Sequence, residues 1–194
     1  MAYIDVISES DADGELAHLY ARYGNPDGSV DNVLKVHSLN PASLEAHCAL
    51  YVQSTHKQSP LTRAEREMIG VIVSRTNGCT YCNVHHATGL KRLLPDDRKH
   101  VADELRDGRS IDEVEITPRE RALLVYAEKL TRSPASVQQS DVDAMRGTGL
   151  SDREILDAAQ VIGYFSYANR IVLGLGAALE ETSIGEWPAE SRDV

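Results

Sequence analysis

EMIGVIVSRTNGCTYCNVHH, residues Glu67 to His86, sets one acid, two cysteines and two histidines within twenty residues. It begins inside a helical pattern, LTRAEREMIGVIVSRT, breaks at Asn77-Gly78, and restarts at Cys79 as a second pattern that runs to Leu94 before Pro95 stops it. Two helices joined by so short a turn fold back antiparallel. Cys79 and Cys82 then lie at a helix start, where unpaired N–H groups and the positive end of the dipole favour a thiolate over the ~8.5 pKa of free cysteine. Cys82 and His86 are four apart and share one helix face, so the imidazole can take the thiol proton. Glu67, returning from the preceding helix, can orient His86 and hold its tautomer. His85 points about 100° away from His86 and is expected in a supporting or surface place.

Outward from this hairpin the chain reads as helix after helix, with no convincing strand. Three capping boxes, Thr62/Glu65, Thr117/Glu120 and Ser151/Glu154, each predict a helix start. The first two open segments that align at an offset of 55, LTRAEREMIGVIVSRT with ITPRERALLVYAEKLT, a weak internal repeat. In the second copy Ala122 stands where Glu67 does, and Pro134 and Val137 stand where the cysteines do. The chemistry therefore belongs to the first copy.

Before the hairpin, Ser10-Asp11 is read as the cap of a helix stopping at Gly24, Ser29 as the cap of a second, and Asn40-Pro41 as cap and N1 of a third running to about Ser54. His37 and His47 read as packing histidines, and Cys48 as a small buried hydrophobe. After it, PDDRKHVADELRDG and SDVDAMRGTG are short helices, and Ile111 and Val114 of the linker between copies are expected to tuck under the domain. The longest apolar pattern runs from Ser151 to about Leu179 and reads as the central helix, or as one buried against another subunit. Arg170 within it is expected in a buried ion pair or an interface. The division expected is one helical domain over 1–181 and an irregular tail over 182–194, anchored by Trp187.

Composition narrows the function. Thirty acidic against twenty basic residues give a formal charge of −10, which repels nucleic-acid backbones and anionic lipid surfaces. Neither nucleic acid nor membrane is an expected partner, and with no leader pattern at MAYIDVISESDADGE a cytoplasmic location is expected. Three cysteines do not make a disulfide framework, and in a reducing compartment CxxC reads as redox or metal chemistry.

Glu67, eleven residues, Cys79-Thr80-Tyr81-Cys82, three residues and then His86 resembles the active-site pattern of the alkylhydroperoxidase D-like family, within the carboxymuconolactone decarboxylase superfamily. The flanking NVLKVHSLNP and YFSYANRI resemble its peroxidase-related branch, and the likeness extends from about Ala17 to Leu179. The resemblance implies an all-α, alkylhydroperoxidase D-like helical bundle that forms a homo-oligomer. It implies a thiol-dependent hydroperoxidase with no cofactor or metal, acting on a peroxide and recycled by a thiol or dithiol reductant. Carried over, Cys82 is the peroxide-reactive thiol, Cys79 its disulfide partner, and His86 with Glu67 the proton relay. Better-studied members have a histidine between the cysteines where this chain has Tyr81, whose hydroxyl can still donate a hydrogen bond.

The residues alone support the same reading. A thiol peroxidase needs an activated thiolate, an acid for the leaving alkoxide, and a second thiol to resolve the sulfenic acid. Two other readings stand beside it. One is a decarboxylase of lactone acids, which would need no CxxC and would want cationic groups. The other is a non-enzymatic redox or zinc-binding protein, with Cys79, Cys82 and His86 or His85 as ligands. Haem attachment is excluded because Asn83, not His, follows Cys82.

Overall fold

The computed structural model describes residues 2–181 and 184–185. Among these residues nine α-helices and two 3₁₀ turns form, with no strand, so the expected all-α class holds. In chain order they are α1 (Gly14–Tyr23), α2 (Asn32–Lys35), α3 (Pro41–Thr55), α4 (Arg63–Thr76), α5 (Thr80–Leu93), α6 (Lys99–Arg106), α7 (Pro118–Arg132), α8 (Gln139–Gly147) and α9 (Asp152–Leu175).

The three expected capping boxes all form. In each, the Ser or Thr hydroxyl accepts the backbone N–H three residues on, and the Glu carboxylate accepts the N–H of the cap. The three glutamates also take arginine partners. Arg119, in the first turn of α7, donates to Glu65 at the start of α4 and to Glu154 at the start of α9, each at 2.6 Å, while Arg98 donates to Glu120 at 2.9 Å. One guanidinium thus fastens the beginnings of α4 and α9 to its own helix. α3 likewise starts as read, with the Asn40 side chain accepting from Ser43 N–H and Pro41 in the first turn.

At α1 and α2, whose caps make no side-chain bond, the boundaries move. α1 is capped by Asp13 rather than Ser10-Asp11, and α2 by Asp31 rather than Ser29, whose hydroxyl is engaged with Asp27. α9 stops at Leu175, four residues short of the expected end. Gly176 there takes a left-handed conformation (φ 69°), and the ring of Tyr3 lies against it so closely that a Cβ would sit 2.6 Å from it.

The centre of the bundle is α4, not α9. Met68, Ile69, Val71, Ile72 and Val73 are all sealed from solvent, and α5, α6, α7 and α9 pack around them. Gly70 lets α9 come close, since a Cβ there would lie 2.6 Å from the Phe165 ring. α9 buries Ile162, Phe165, Ala168 and Val172 but leaves Leu156, Tyr167 and Leu173 exposed on its other face. Arg170 is exposed and donates to its own helix at Ser166, so the buried ion pair expected for it does not form. α4 with α5 and α7 with α8 form successive helix pairs that both pack on α9, and Pro134 lies in an exposed 3₁₀ turn with no reactive group at that place. A second cluster joins α1, α2 and α3 through Leu16, Leu19, Tyr20, Leu34, Leu44 and Cys48. Ile111 and Val114 are buried as read.

Candidate active site

The turn between α4 and α5 presents the dithiol. Gly78 sits at φ 71°, a conformation that only glycine adopts cheaply, and Cys79 becomes the N-cap of α5 with Cys82 one turn in. This turn is tied from α9. The Asn169 carboxamide, fully buried, accepts from the Asn77 side chain at 3.0 Å and donates to the Ser74 hydroxyl at 3.2 Å. Asn169 also hydrogen-bonds the Cys82 sulfur, which favours its thiolate. Sequence reasoning passed over Asn169, although an Asn inside the apolar run YFSYANRI is a buried amide in need of partners.

Both site cysteines are free thiols and nearly sealed, Cys79 at 1% and Cys82 at 4% exposure. Cys79 is thus no more exposed than Cys82, although the hollow it lines is the more open one. The Cys82 S–H donates to the Cys79 sulfur, which holds Cys79 below the ordinary thiol range, helped by the N–H groups of Cys82 and Tyr81 and by His85. The same bond and burial push Cys82 well above that range. Cys79 sits at the N-cap, where the free amides of the first turn favour a thiolate, whereas Cys82, a turn further in, has chiefly Asn169 to set against its burial. Cys48 is buried in the second cluster and pushed up to about 12, as a packing thiol should be.

His86 and Glu67 meet as expected: Nδ1 of His86 lies 2.7 Å from Glu67 Oε2, with both side chains largely buried. Since the carboxylate accepts, Nδ1 carries the proton and Nε2 is the basic nitrogen. The edge of Phe165 fixes the imidazole plane, with ring centroids 4.4 Å apart at 81°.

His85 is neither loose nor on the surface. It is buried, its Nε2 lies 2.7 Å from Glu180 Oε2, and its ring stacks on Tyr81 at 4.5 Å and 22°. The Gly185 N–H donates to its Nδ1 at 3.2 Å. The Tyr81 hydroxyl donates to Glu180 Oε1 at 2.7 Å and accepts from the Val33 N–H at 3.2 Å. Burial raises Glu180, but the bonds from His85, the Asn32 amide and Tyr81 outweigh it and hold the carboxyl below the usual range. No local pattern points to Glu180, because all three of its partners come from distant parts of the chain. Of the expected tail, Trp187 lies outside the described residues.

Two hollows meet at the dithiol. A cavity of about 70 Å³ is lined by Cys82, His86, Glu67, Tyr51, Tyr164 and Phe165, among others, whereas Cys79 lines a more open hollow of about 380 Å³ with Tyr3, Leu173, Gly176 and Leu179. Among the described residues no lysine or arginine lines the cavity, and two carboxylates do, Asp31 and Glu67. His47 also borders it, 3.4 Å from the Tyr164 hydroxyl and pushed down to about 3 by burial, hence neutral. Among the described residues no three His, Cys, Asp or Glu side chains converge as metal ligands would.

The family model described as the carboxymuconolactone decarboxylase family matches residues 41–94, from α3 through α5, including Glu67, both site cysteines and His86. The chain is similar in structure to an uncharacterized peroxidase-related protein from Silicibacter sp. TM1040. They are 33% identical with a TM-score of 0.73, over 79% of this chain and 78% of that one. It is also similar to a Ralstonia eutropha JMP134 protein described as an alkylhydroperoxidase AhpD core and peroxidase-related, 27% identical over 93% of each chain with a TM-score of 0.83. The debrominase Bmp8 shares the fold, at 19% identity and a TM-score of 0.77 over 92% of each chain.

Proposed function

The chain belongs to the carboxymuconolactone decarboxylase family, and from that premise we propose that it is a thiol-dependent hydroperoxidase cycling between the Cys79/Cys82 dithiol and its disulfide. The observation that carries this reading is the cavity in which Cys82 shares the lining with His86, itself held by Glu67. Nε2 of His86 takes the Cys82 proton, and the thiolate attacks the near oxygen of the peroxide. The O–O bond breaks, the imidazolium returns its proton to the leaving alkoxide, and an alcohol departs from Cys82 sulfenic acid. Glu67 stabilises the imidazolium between these steps. The Cys79 thiolate then attacks the Cys82 sulfur and expels hydroxide, which ends as water. A low Cys79 pKa suits that step, because the resolving nucleophile is already ionised.

The cavity supports an uncharged and small substrate. With no lysine or arginine among the described residues of its lining and two carboxylates present, it disfavours the lactone acids that a decarboxylase would bind. Since a water needs about 10–15 Å³ of such volume, the space suits a hydroperoxide of a few heavy atoms until the aromatic walls move. A zinc-binding role is tested by metal analysis of the purified protein, where stoichiometric zinc would displace the enzymatic reading. The direct test of the proposal is mass spectrometry after mild peroxide treatment. The expected product is a Cys79–Cys82 disulfide with Cys48 untouched; reduced thiols together with unconsumed peroxide would overturn the reading.

A further inference from the structure

The segment after α9 returns across the site. Glu180 on this return meets α5 twice, at the Tyr81 hydroxyl and at His85 Nε2, and reaches the start of α2 through the Asn32 amide. Tyr81 and His85 are one turn apart on α5 with their rings stacked, so one carboxylate clamps both ends of that turn. Tyr81 lies between the cysteines, and its backbone N–H and that of Cys82 are first-turn amides beside the N-cap residue Cys79. The dithiol is thus set between two carboxylate–imidazole pairs: His86–Glu67 at the Cys82 cavity, and His85–Glu180 behind the turn that cradles Cys79.

We propose that Glu180 is a positioning residue for Cys79: by holding Tyr81 and His85 it keeps the amides of the first α5 turn aimed at the Cys79 sulfur, so that resolution and disulfide reduction depend on it. This rests on the dithiol reading above. In the reductive half, a reductant thiolate attacks Cys79, the S–S bond breaks, and Cys82 leaves as thiolate and is protonated. A second reductant thiolate then attacks the first reductant's sulfur and releases Cys79 as thiolate into the amide cradle. The two reductant thiols lose two electrons and become a disulfide, and the protein's disulfide gains them. Of the ionisable groups around Cys79, Cys82 and His85 act on it directly, Tyr81 and Tyr3 line the outer hollow with it, and Glu180 and Asp31 act on Tyr81. α9 contributes Val172 and Asn169, neither ionisable.

The test is the pH dependence of iodoacetamide alkylation at Cys79, read by peptide mass spectrometry on the reduced protein. Glu180→Ala is expected to move the Cys79 profile to higher pH and slow alkylation near neutrality about tenfold, the effect of one unit in thiol pKa. Glu180→Gln keeps an acceptor for Tyr81 without the charge beside His85, and should fall between wild type and Glu180→Ala. A Cys79 profile in folded Glu180→Ala that superimposes on wild type overturns the proposal. If Glu180→Ala does not fold, Tyr81→Phe, which removes only the hydroxyl, must shift the profile in the same direction, and an unshifted profile overturns the proposal equally. Alkylation needs no peroxide. A wild-type protein that consumes none would therefore defeat the hydroperoxidase reading while leaving the Glu180 question to be decided by the same profiles.

Discussion

At the residue scale the two site cysteines should separate cleanly. Cys82→Ser is expected to abolish peroxide consumption, whereas Cys79→Ser should complete one turnover and stop at overoxidised Cys82 sulfur, followed by stopped-flow consumption and intact mass. The reverse pattern would exchange the two roles. His86→Ala should slow the peroxide step about 100-fold or more, the usual loss for a general acid–base group, and Glu67→Gln about tenfold, since it acts through the histidine. Glu67, Cys79, Cys82, His86 and Tyr81 were legible in the sequence because one tight turn and helical spacing bring them together. The protonation order of the two thiols was not legible. It depends on the bond between the two sulfurs and on how each is buried in the folded chain, with Asn169 of α9 acting on Cys82. Asn169 and Glu180 escaped for the same reason: each acts on residues that only tertiary packing supplies.

At the element scale, the helix starts with a Ser, Thr or Asn cap were readable, and so was α5 from its Asn-Gly break, whereas the Gln138 capping box of α8 was not. The three Ser/Thr–Glu boxes and Asn40-Pro41 fell where expected, while α1 and α2, capped by Asp13 and Asp31 with no cap hydrogen bond, did not. The end of α9 was misplaced because several glycines compete there, and packing against Tyr3 selects Gly176. Glu154 makes the α9 box sensitive to acid. Hydrogen bonds from the Ser151 hydroxyl and amide, then Arg119, hold its carboxyl down at about 2, from an ordinary 4.5. A depressed carboxylate contributes stability above its unfolded pKa, and this contribution is lost as pH falls from about 4.5 towards 2. Glu154→Gln should therefore lower the melting temperature at neutral pH and narrow the gap to wild type near pH 2, measured by calorimetry. Gly70→Ala should cost about 1–3 kcal/mol in urea unfolding, because the Phe165 ring has to yield to the new methyl group. As Phe165 abuts His86, the same substitution should also slow the peroxide step.

At the scale of the whole molecule, the sequence-level choice of α9 as the centre followed its apolar length. The structure puts α4 there instead, since α4 is shorter but surrounded. The exposed face of α9, with Leu156 at 54%, Leu173 at 46% and Tyr167 at 38%, is the surface on which self-association is expected. Sedimentation at micromolar concentration should give an assembly larger than one chain, and Leu156→Glu should shift it towards the monomer; a wild-type monomer would remove this expectation. No helix among the described residues is long and apolar enough to cross a membrane. The two hollows at the dithiol, one bordered by Cys82 and the other by Cys79, give the bond between those sulfurs the character of a party wall. On the proposed cycle, oxidant would be met on one side and electron donor on the other, so neither would have to vacate a seat for its counterpart. Initial-rate plots against peroxide at several reductant concentrations should then be parallel lines, with little inhibition by either at excess. Parallel lines that bend upward at excess of either reactant would mean instead that both compete for a single chamber.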